Sequence, residues 1–240
     1  MTIWIFGDSF SDPVDHKNDH NTWYDDLAAH YNQPVENYSK FGAGHQYIMS
    51  LWDAHYKNIK PDDYVIILLT SIRKTFFFKD NPITSMPWMV SKPSYNAHWN
   101  RLPEEKRTAF DSYYEHLHHD HDISLQIKSF LFWVDKVSEK LTHKIIIIKA
   151  FNEFYLDASE FKNLVISSGT SLIELSKLEV SRDEWNKLLI NQDCFDHRSN
   201  HLSAINHKHL KNCIVESLST NKLDLAITKF TVYNGELYGW

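Results

Sequence analysis

The sequence predicts a three-layer α/β/α fold of the flavodoxin-like type, in which helices cover both faces of a central, mostly parallel sheet. Strand and helix signals alternate along the 240 residues, as they do in βαβ units. Residues 63–69 and 144–148 are short apolar runs of the kind that a parallel sheet buries on both faces. An amphipathic helix precedes the second run, so a helix is available to pack on the sheet.

The first half of the chain contains three of the predicted strands. Residues 2–6 are rich in β-forming side chains and stop at Gly7, which predicts strand one. Thr22 is the predicted N-cap of a helix, because Asp25 follows three residues later in the capping-box position. Strand two is predicted around residues 35–39, a second helix through residues 46–52 and strand three at residues 63–69.

The second half of the chain predicts two further strands and a closing helix. Apolar residues recur at intervals of three and four between Ile127 and Leu141, which is typical of an amphipathic helix. That helix leads into strand four at residues 144–148, and residues 163–166 are the candidate for strand five. Ser203 is the predicted N-cap of a helix over residues 203–218.

We predict one domain over residues 1–220, an aromatic insertion at about residues 74–101 and a C-terminal extension over residues 221–240. The insertion follows strand three, where long connections often form binding walls or lids. Arg73, Phe76 and Trp88 are therefore candidate substrate-binding residues, although packing of the aromatic rings on the domain is an equal alternative. The Asn-Gly pair in the extension indicates a two-residue hairpin.

Composition and charge argue against two classes of partner. The net charge is −6 and the 25 Lys and Arg residues are dispersed, so we expect no nucleic-acid ligand. No apolar stretch approaches the length of a membrane span and no leader-like segment opens the chain, so we expect a cytoplasmic protein without membrane contact.

Two cysteines, Cys194 and Cys213, fit a reducing compartment, and Cys194 is interpreted as a packed loop thiol. The sequence does not indicate an oligomeric state.

Gly7-Asp8-Ser9 places a serine at the end of strand one, where we expect it to be exposed as a nucleophile. A serine hydroxyl needs a histidine to accept its proton and a carboxylate to orient that histidine. His201 and Asp196, just before the closing helix, are the candidates for these two roles. Since the ligand crevice of an open parallel sheet lies beyond the carboxyl ends of its strands, we expect these segments to meet at one edge of the sheet.

These blocks resemble the SGNH (GDSL-type) hydrolase family, in which a Gly-Asp-Ser serine follows the first strand and the acid and base share a late loop. The resemblance implies an oxyanion hole formed by the backbone N–H groups of Ser9 and Gly42, since Gly42 stands in the matching block at residues 37–44. Gly44 is the alternative. The family histidine is commonly followed six residues later by a histidine or an aromatic residue, and His207 has that place.

The acid and base depart from the family spacing. The family has an acid three residues before the histidine, whereas Asp196 and His201 are five residues apart and Arg198 holds the expected place. His197 is the alternative base, and Asp193 is the alternative acid.

The oxyanion-hole asparagine that the family carries after its third strand is absent from residues 68–73. Thr70 or Ser71 is the candidate replacement, because its hydroxyl can donate a hydrogen bond. Arg73 could supply positive charge, and Asn152 is a further alternative. The loss of one such donor typically lowers the rate by about 10²- to 10³-fold.

The predicted function is an ester hydrolase that acts through an acyl-serine intermediate, without a metal or other cofactor. The resemblance implies small acyl esters, with O-acetylated carbohydrate as one candidate substrate. Two other classes stay open: a non-catalytic glycan-binding or assembly protein on the same fold, and a metal-dependent hydrolase that uses the histidine-rich residues 115–122. A solvated helix junction is the favoured interpretation of those residues, because only helix positions three or four apart share a face.

Overall fold

The computed structural model describes residues 1–13, 21–72, 75–77, 83–85, 103–151, 153, 156–180 and 199–232. Its strands, in chain order, are β1 (Ile3–Phe6), β2 (Val35–Asn37), β3 (Tyr64–Leu69), β4 (Thr75–Phe77), β5 (Ile83–Ser85), β6 (Ile145–Lys149), β7 (Leu164–Ile166), β8 (Ser168–Gly169) and β9 (Asp224–Leu225). The central sheet has five parallel strands in the order β2-β1-β3-β6-β7. This is the flavodoxin-like strand order, so the predicted fold class is confirmed.

Helices lie on both faces of the sheet. They are α1 (Trp23–Tyr31), α2 (His45–His55), α3 (Glu104–His116), α4 (Asp120–Ser138), α5 (Leu172–Leu178) and α6 (Ala204–Thr220). Alternate side chains of β1 point to opposite faces: Ile3 and Ile5 pack with α1, α5 and α6, whereas Trp4 and Phe6 pack with α2 and α4. The strands β3 and β6 are buried on both faces in the same way, which explains their continuous apolar sequences.

The five strands of the central sheet and the helices α1, α2, α4 and α6 lie where the local sequence signals predicted them. Thr22 forms the predicted capping box with Asp25. Ser203 caps α6, because its hydroxyl accepts a hydrogen bond from the Asn206 N–H at 3.3 Å. The amphipathic helix is longer than its apolar pattern indicated, since α4 begins at Asp120. The candidate for strand five is confirmed as β7.

Asp63 anchors the start of β3. Its buried carboxylate accepts hydrogen bonds from the Thr2 N–H at 2.7 Å, the Trp4 indole at 2.9 Å and the Lys60 N–H at 2.9 Å. Burial acts to raise the pKa of Asp63, but these hydrogen bonds and the N-terminal ammonium outweigh it, so the pKa lies below its usual value. The charged carboxylate therefore ties β1 to β3.

The first part of the predicted C-terminal extension belongs to the core of the domain. Residues in β9 pair with β8 in a parallel ribbon, and Leu223, Leu225 and Phe230 are buried in the cluster that contains α6. The chain therefore continues to pack on the domain beyond residue 220. The predicted hairpin lies largely after residue 232, outside the described residues.

The aromatic insertion contains the strands β4 and β5, which form an antiparallel ribbon that the sequence analysis did not predict. The rest of the insertion, up to residue 102, lies outside the described residues. Within the part of the chain that the structure describes, no helix combines the length and the apolar character needed to cross a bilayer.

Candidate active site

Ser9 lies in a tight turn after β1, which we call the serine turn (residues 7–12). The turn is closed by the Ser11 N–H, which donates to the Asp8 carbonyl oxygen at 3.0 Å. Ser9 is only 5% exposed. The expectation of an exposed serine is therefore wrong.

Asp8 holds the serine turn against the end of β3. One oxygen of its fully buried carboxylate accepts the Phe10 N–H at 3.2 Å, and the other accepts the Thr70 hydroxyl at 2.7 Å. Gly7 lets the serine turn fold tightly on itself, because a Cβ at position 7 would lie 2.6 Å from Ser11 Oγ. Real Cβ contacts are not that short, so a side chain at position 7 would displace the turn.

Both hydroxyl groups that follow β3 donate to carboxylates. Thr70 donates to Asp8, and Ser71 donates to Glu153, whose carboxylate also accepts the Ile72 N–H at 3.0 Å. A hydroxyl has one proton to donate, so neither group has a proton left for an oxyanion in this arrangement. That Thr70 or Ser71 replaces the family's asparagine stays a prediction, and it would require the hydroxyl to leave its carboxylate. Glu153 was not predicted as a partner of Ser71, because the two residues are 82 positions apart in the chain.

The loop after β2 contacts the serine turn and contains Gly42. The Lys40 N–H donates to the Gly7 carbonyl oxygen at 3.3 Å, which places the loop beside the turn. Gly42 has a φ of 72°, a left-handed conformation that favours glycine. Gly44, the alternative, has a φ of −93° and is the N-cap of α2. Of these two glycines, Gly42 is the one in the left-handed conformation, and it is also the one that the family resemblance indicates.

Phe41 presents an apolar surface next to Gly42. Its side chain is 46% exposed, while its N–H donates to the buried Asp12 carboxylate at 2.5 Å. Burial, together with the negative charge of Asp12, raises the pKa of Tyr47 on the adjoining helix α2. The loop is thus anchored by its backbone, and the Phe41 side chain is half exposed.

The segment that carries His201, which we call the late loop (residues 199–203), lies directly on the serine turn. Asn200 is completely buried, and its Nδ2 donates to the Ser9 carbonyl oxygen at 2.7 Å, across 191 residues of chain. The His201 ring packs edge-on against the Phe10 ring, with 5.0 Å between their centroids. The structure therefore places the late loop, which carries the predicted base, against the turn that carries the predicted nucleophile.

The far end of the late loop is anchored on α5 and α6. Leu202 is fully buried, and the Ser203 N–H and hydroxyl both donate to the Glu179 carboxylate at the end of α5.

His207 is also fully buried, and its Nδ1 accepts the Trp23 N–H at 3.2 Å, at the start of α1. His207 thus supports the helices beneath the site.

Several predicted site residues lie outside the described residues. They are Arg73, Trp88, Asn152, Asp193, Asp196 and His197. Cys194, which is interpreted as a packed loop thiol, also lies outside them. Phe76 lies in β4, of which only the backbone is described. The carboxylate that orients His201 therefore stays a prediction.

The histidine-rich residues 115–122 form the junction between α3 and α4, as the sequence analysis favoured. His118 Nε2 lies 3.1 Å from Asp120 Oδ1, and His116 Nε2 lies 3.6 Å from Glu115 Oε2. Among the residues that the structure describes, no three His, Cys, Asp or Glu side chains converge as metal ligands would. The segment consists of paired side chains at a helix junction.

An apolar groove of about 470 Å³ lies elsewhere, on the sheet face that α2 and α4 cover. It is lined by Met49, Leu125, Gln126, Ser129, Phe130 and Trp133. None of these residues belongs to the serine turn, the late loop or the Gly42 loop, so the groove is separate from the candidate site.

Comparison with known proteins does not add a family to these findings. No protein-family model matches the chain, and no curated protein matches it. The interpretation of the site therefore depends on its geometry and on the motifs that the sequence contains.

Proposed function

We propose that this protein is a serine ester hydrolase that resembles the SGNH (GDSL-type) family, with Ser9 as the nucleophile and His201 as the general base. The observation that carries the proposal is the hydrogen bond from Asn200 to the Ser9 carbonyl oxygen, because it joins the residue before His201 to the serine itself. The ring contact between His201 and Phe10 supports the same assignment. A serine and a histidine at the carboxyl edge of a parallel sheet are the starting point for nucleophilic catalysis.

In the proposed reaction, Ser9 Oγ attacks the carbonyl carbon of the ester while His201 accepts the hydroxyl proton. The tetrahedral intermediate then expels the alcohol, which takes the proton from His201, and the acyl group stays on Ser9 Oγ. Water attacks the acyl carbon as His201 accepts its proton, and the carboxylic acid leaves when Ser9 regains a proton. Asp196 is the proposed partner that orients His201, with Asp193 as the alternative.

The proposed oxyanion donors are the backbone N–H groups of Ser9 and Gly42. The loop of Gly42 is bonded to the serine turn through Lys40 and Gly7, which supports their proximity. Since the hydroxyls of Thr70 and Ser71 donate to carboxylates, the proposed hole has no hydroxyl donor from the end of β3. Because each donor contributes about 10²- to 10³-fold in rate, we expect slow turnover for an esterase.

The proposed substrates are small acyl esters, with O-acetylated carbohydrate as a candidate. Ser9 is only 5% exposed, so a bulky acyl group would have little access to its hydroxyl. The exposed ring of Phe41 next to Gly42 offers an apolar face on which an acyl chain or a sugar ring can pack.

The test is covalent labelling of the intact protein with a fluorophosphonate probe, followed by turnover of p-nitrophenyl acetate. We expect labelling of the parent and of Ser50→Ala, which removes an exposed hydroxyl on α2, and none of Ser9→Ala. His201→Ala should lower kcat by about 10²- to 10⁴-fold, whereas His121→Ala, an exposed histidine of α4, should not. Equal labelling of the parent and Ser9→Ala would exclude Ser9 as the nucleophile.

The alternative function predicts a different outcome of the same test. A glycan-binding or assembly protein would retain acetylated oligosaccharides but would show neither labelling at Ser9 nor turnover of the ester. Glycan retention with no turnover would therefore replace the proposed hydrolase with a binding function on the same fold.

A further inference from the structure

We infer that Asn200 is a positioning residue that sets the His201 imidazole against the Ser9 hydroxyl, an inference that rests on the proposed function. Its side chain is completely buried between the late loop and the serine turn. The two protons of Nδ2 go to the carbonyl oxygens of Ser9, at 2.7 Å, and of Asp12, at 3.2 Å. The amide oxygen accepts the Tyr24 hydroxyl at 3.3 Å.

Both bonded carbonyl groups belong to the serine turn, so Asn200 bridges the turn from Ser9 to Asp12. The Tyr24 hydroxyl lies 3.2 Å from the Asp12 carbonyl oxygen as well as 3.3 Å from the Asn200 amide oxygen, so its single proton can bond to one or the other. A carboxamide is the group that suits this place, since it carries two donors and an acceptor at one side-chain end. Aspartate has the same size but offers acceptors alone, and these would face two carbonyl oxygens.

The backbone of the late loop adds a second reason for asparagine. Asn200 has a φ of 46° and a ψ of 31°, and His201 has a φ of 62°, so two successive residues are left-handed. Asparagine adopts this conformation more readily than most residues, whereas two left-handed residues in succession need support from their surroundings. The bridge from Asn200 supplies that support on the side of the serine turn.

His201 is thereby held between two anchors. On one side is the Asn200 bridge, and on the other side the buried Leu202 is followed by Ser203, whose N–H and hydroxyl bond to Glu179. Release of the first anchor would leave the loop attached at its α6 end but free to move relative to Ser9. Because a misplacement of about 1 Å can lower a rate by about 10²-fold, we expect the effect in kcat, with KM little changed.

The experiment compares Asn200→Asp with Asn221→Asp in the full chain. Asn221 is also left-handed, with a φ of 56°, but it is the exposed C-cap of α6, so the control makes the same chemical change in the same backbone conformation away from the site. Two measurements are made on each protein: the rate of fluorophosphonate labelling at Ser9, and the imidazole ¹⁵N resonances of His201, assigned by their loss in His201→Gln.

We expect Asn200→Asp to label about 10²-fold more slowly and to shift the His201 resonances, while Asn221→Asp matches the parent in both. Tyr24→Phe keeps both N–H donors of Asn200 and should slow labelling less than Asn200→Asp does. If Asn200→Asp does not fold, Asn200→Gly tests the same expectation, because glycine tolerates the left-handed backbone but has no amide side chain.

A folded variant that labels at the parental rate with unmoved His201 resonances would overturn the inference. Failure of the proposed function looks different, because the parent itself would then not be labelled at Ser9. In that case the His201 ¹⁵N resonances alone test the inference. A shift in Asn200→Asp would support a positioning role for Asn200, and unchanged resonances would contradict that role.

Discussion

The Thr70 hydroxyl donates to the Asp8 carboxylate over 2.7 Å, and both side chains are completely buried. This bond joins the end of β3 to the residue before Ser9, although the two residues are 62 positions apart. The Thr70 hydroxyl therefore helps to hold the serine turn in place. In the proposed reaction, contact with the ester therefore falls to the backbone N–H groups of Ser9 and Gly42.

Thr70→Val should therefore lower the free energy of unfolding by about 1–3 kcal/mol, because it leaves one oxygen of a buried carboxylate without its donor. Thr70→Ser keeps the hydroxyl and should retain most of that stability. Chemical denaturation of the two variants and the parent provides the comparison. Equal stability of the valine and serine variants would show that the hydrogen bond contributes nothing.

Ser71→Ala should leave kcat for p-nitrophenyl acetate within about threefold of the parent, since the Ser71 hydroxyl proton already bonds to Glu153. A residue that donates to the oxyanion would instead lose about 10²- to 10³-fold. Steady-state kinetics separates these two results. A loss of the larger size would mean that Ser71 leaves Glu153 during the reaction.

Asp196→Asn should lower kcat by about 10²- to 10⁴-fold, because an amide cannot stabilise the His201 imidazolium as a carboxylate does. Asp193→Asn is the matched control three residues earlier and should retain the parental rate. The pair is measured under the same conditions after thermal melts have shown that both variants fold. The opposite ranking would assign the acid to Asp193.

Gly42→Ala should lower the free energy of unfolding by about 1–2 kcal/mol, because φ is 72° there and an L side chain disfavours this conformation. Gly44→Ala, at a φ of −93°, should be the milder change of the two. Denaturation midpoints of the two variants check the order. A larger loss at position 44 would contradict the assignment of the strained position to Gly42.

Acidification should destabilise the protein partly through Asp63, whose pKa is lower in the folded chain than its usual value. Such a carboxyl contributes stability above its unfolded-state pKa of about 3.9, and that contribution is lost as the pH falls through the lower folded-state pKa. Asp63→Asn should be less stable at pH 7 by about 1–3 kcal/mol, because several donors lose their charged acceptor.

The same variant should lose less stability than the parent between pH 6 and pH 3, since its side chain does not titrate. Urea denaturation at several pH values measures both slopes. Parallel pH profiles of the parent and Asp63→Asn would show that this carboxylate does not contribute to acid unfolding.

The strands of the central sheet and four of the helices, α1, α2, α4 and α6, were predictable because their signals are local. The apolar runs of β3 and β6 reflect burial on both faces of the sheet, and the Thr22 capping box needs contacts across only three residues. The chain reversals of βαβ units then place the ends of β1, β2 and β3 at one edge. For this reason the sequence also predicted that the segments of Ser9, Gly42 and His201 meet.

The partners of individual side chains at that edge were not predictable. Nothing in the sequence around Ser71 indicates Glu153, and nothing around Asn200 indicates the carbonyl oxygen of Ser9. The exposure of Ser9 was predicted wrongly for a similar reason, since its buried contact with Asn200 joins residues that are 191 positions apart.

The sequence by itself determined the layered fold, the mostly parallel sheet and the three segments that form the candidate site, because these follow from apolar periodicity, caps and the polarity of parallel strands. Only the tertiary structure decided which polar groups support the site and which are available to a substrate. A hydroxyl or an amide bonds to whatever group the fold brings within about 3 Å. The packing of distant segments sets that neighbour, so the residues next to a polar group in the sequence do not indicate its partner.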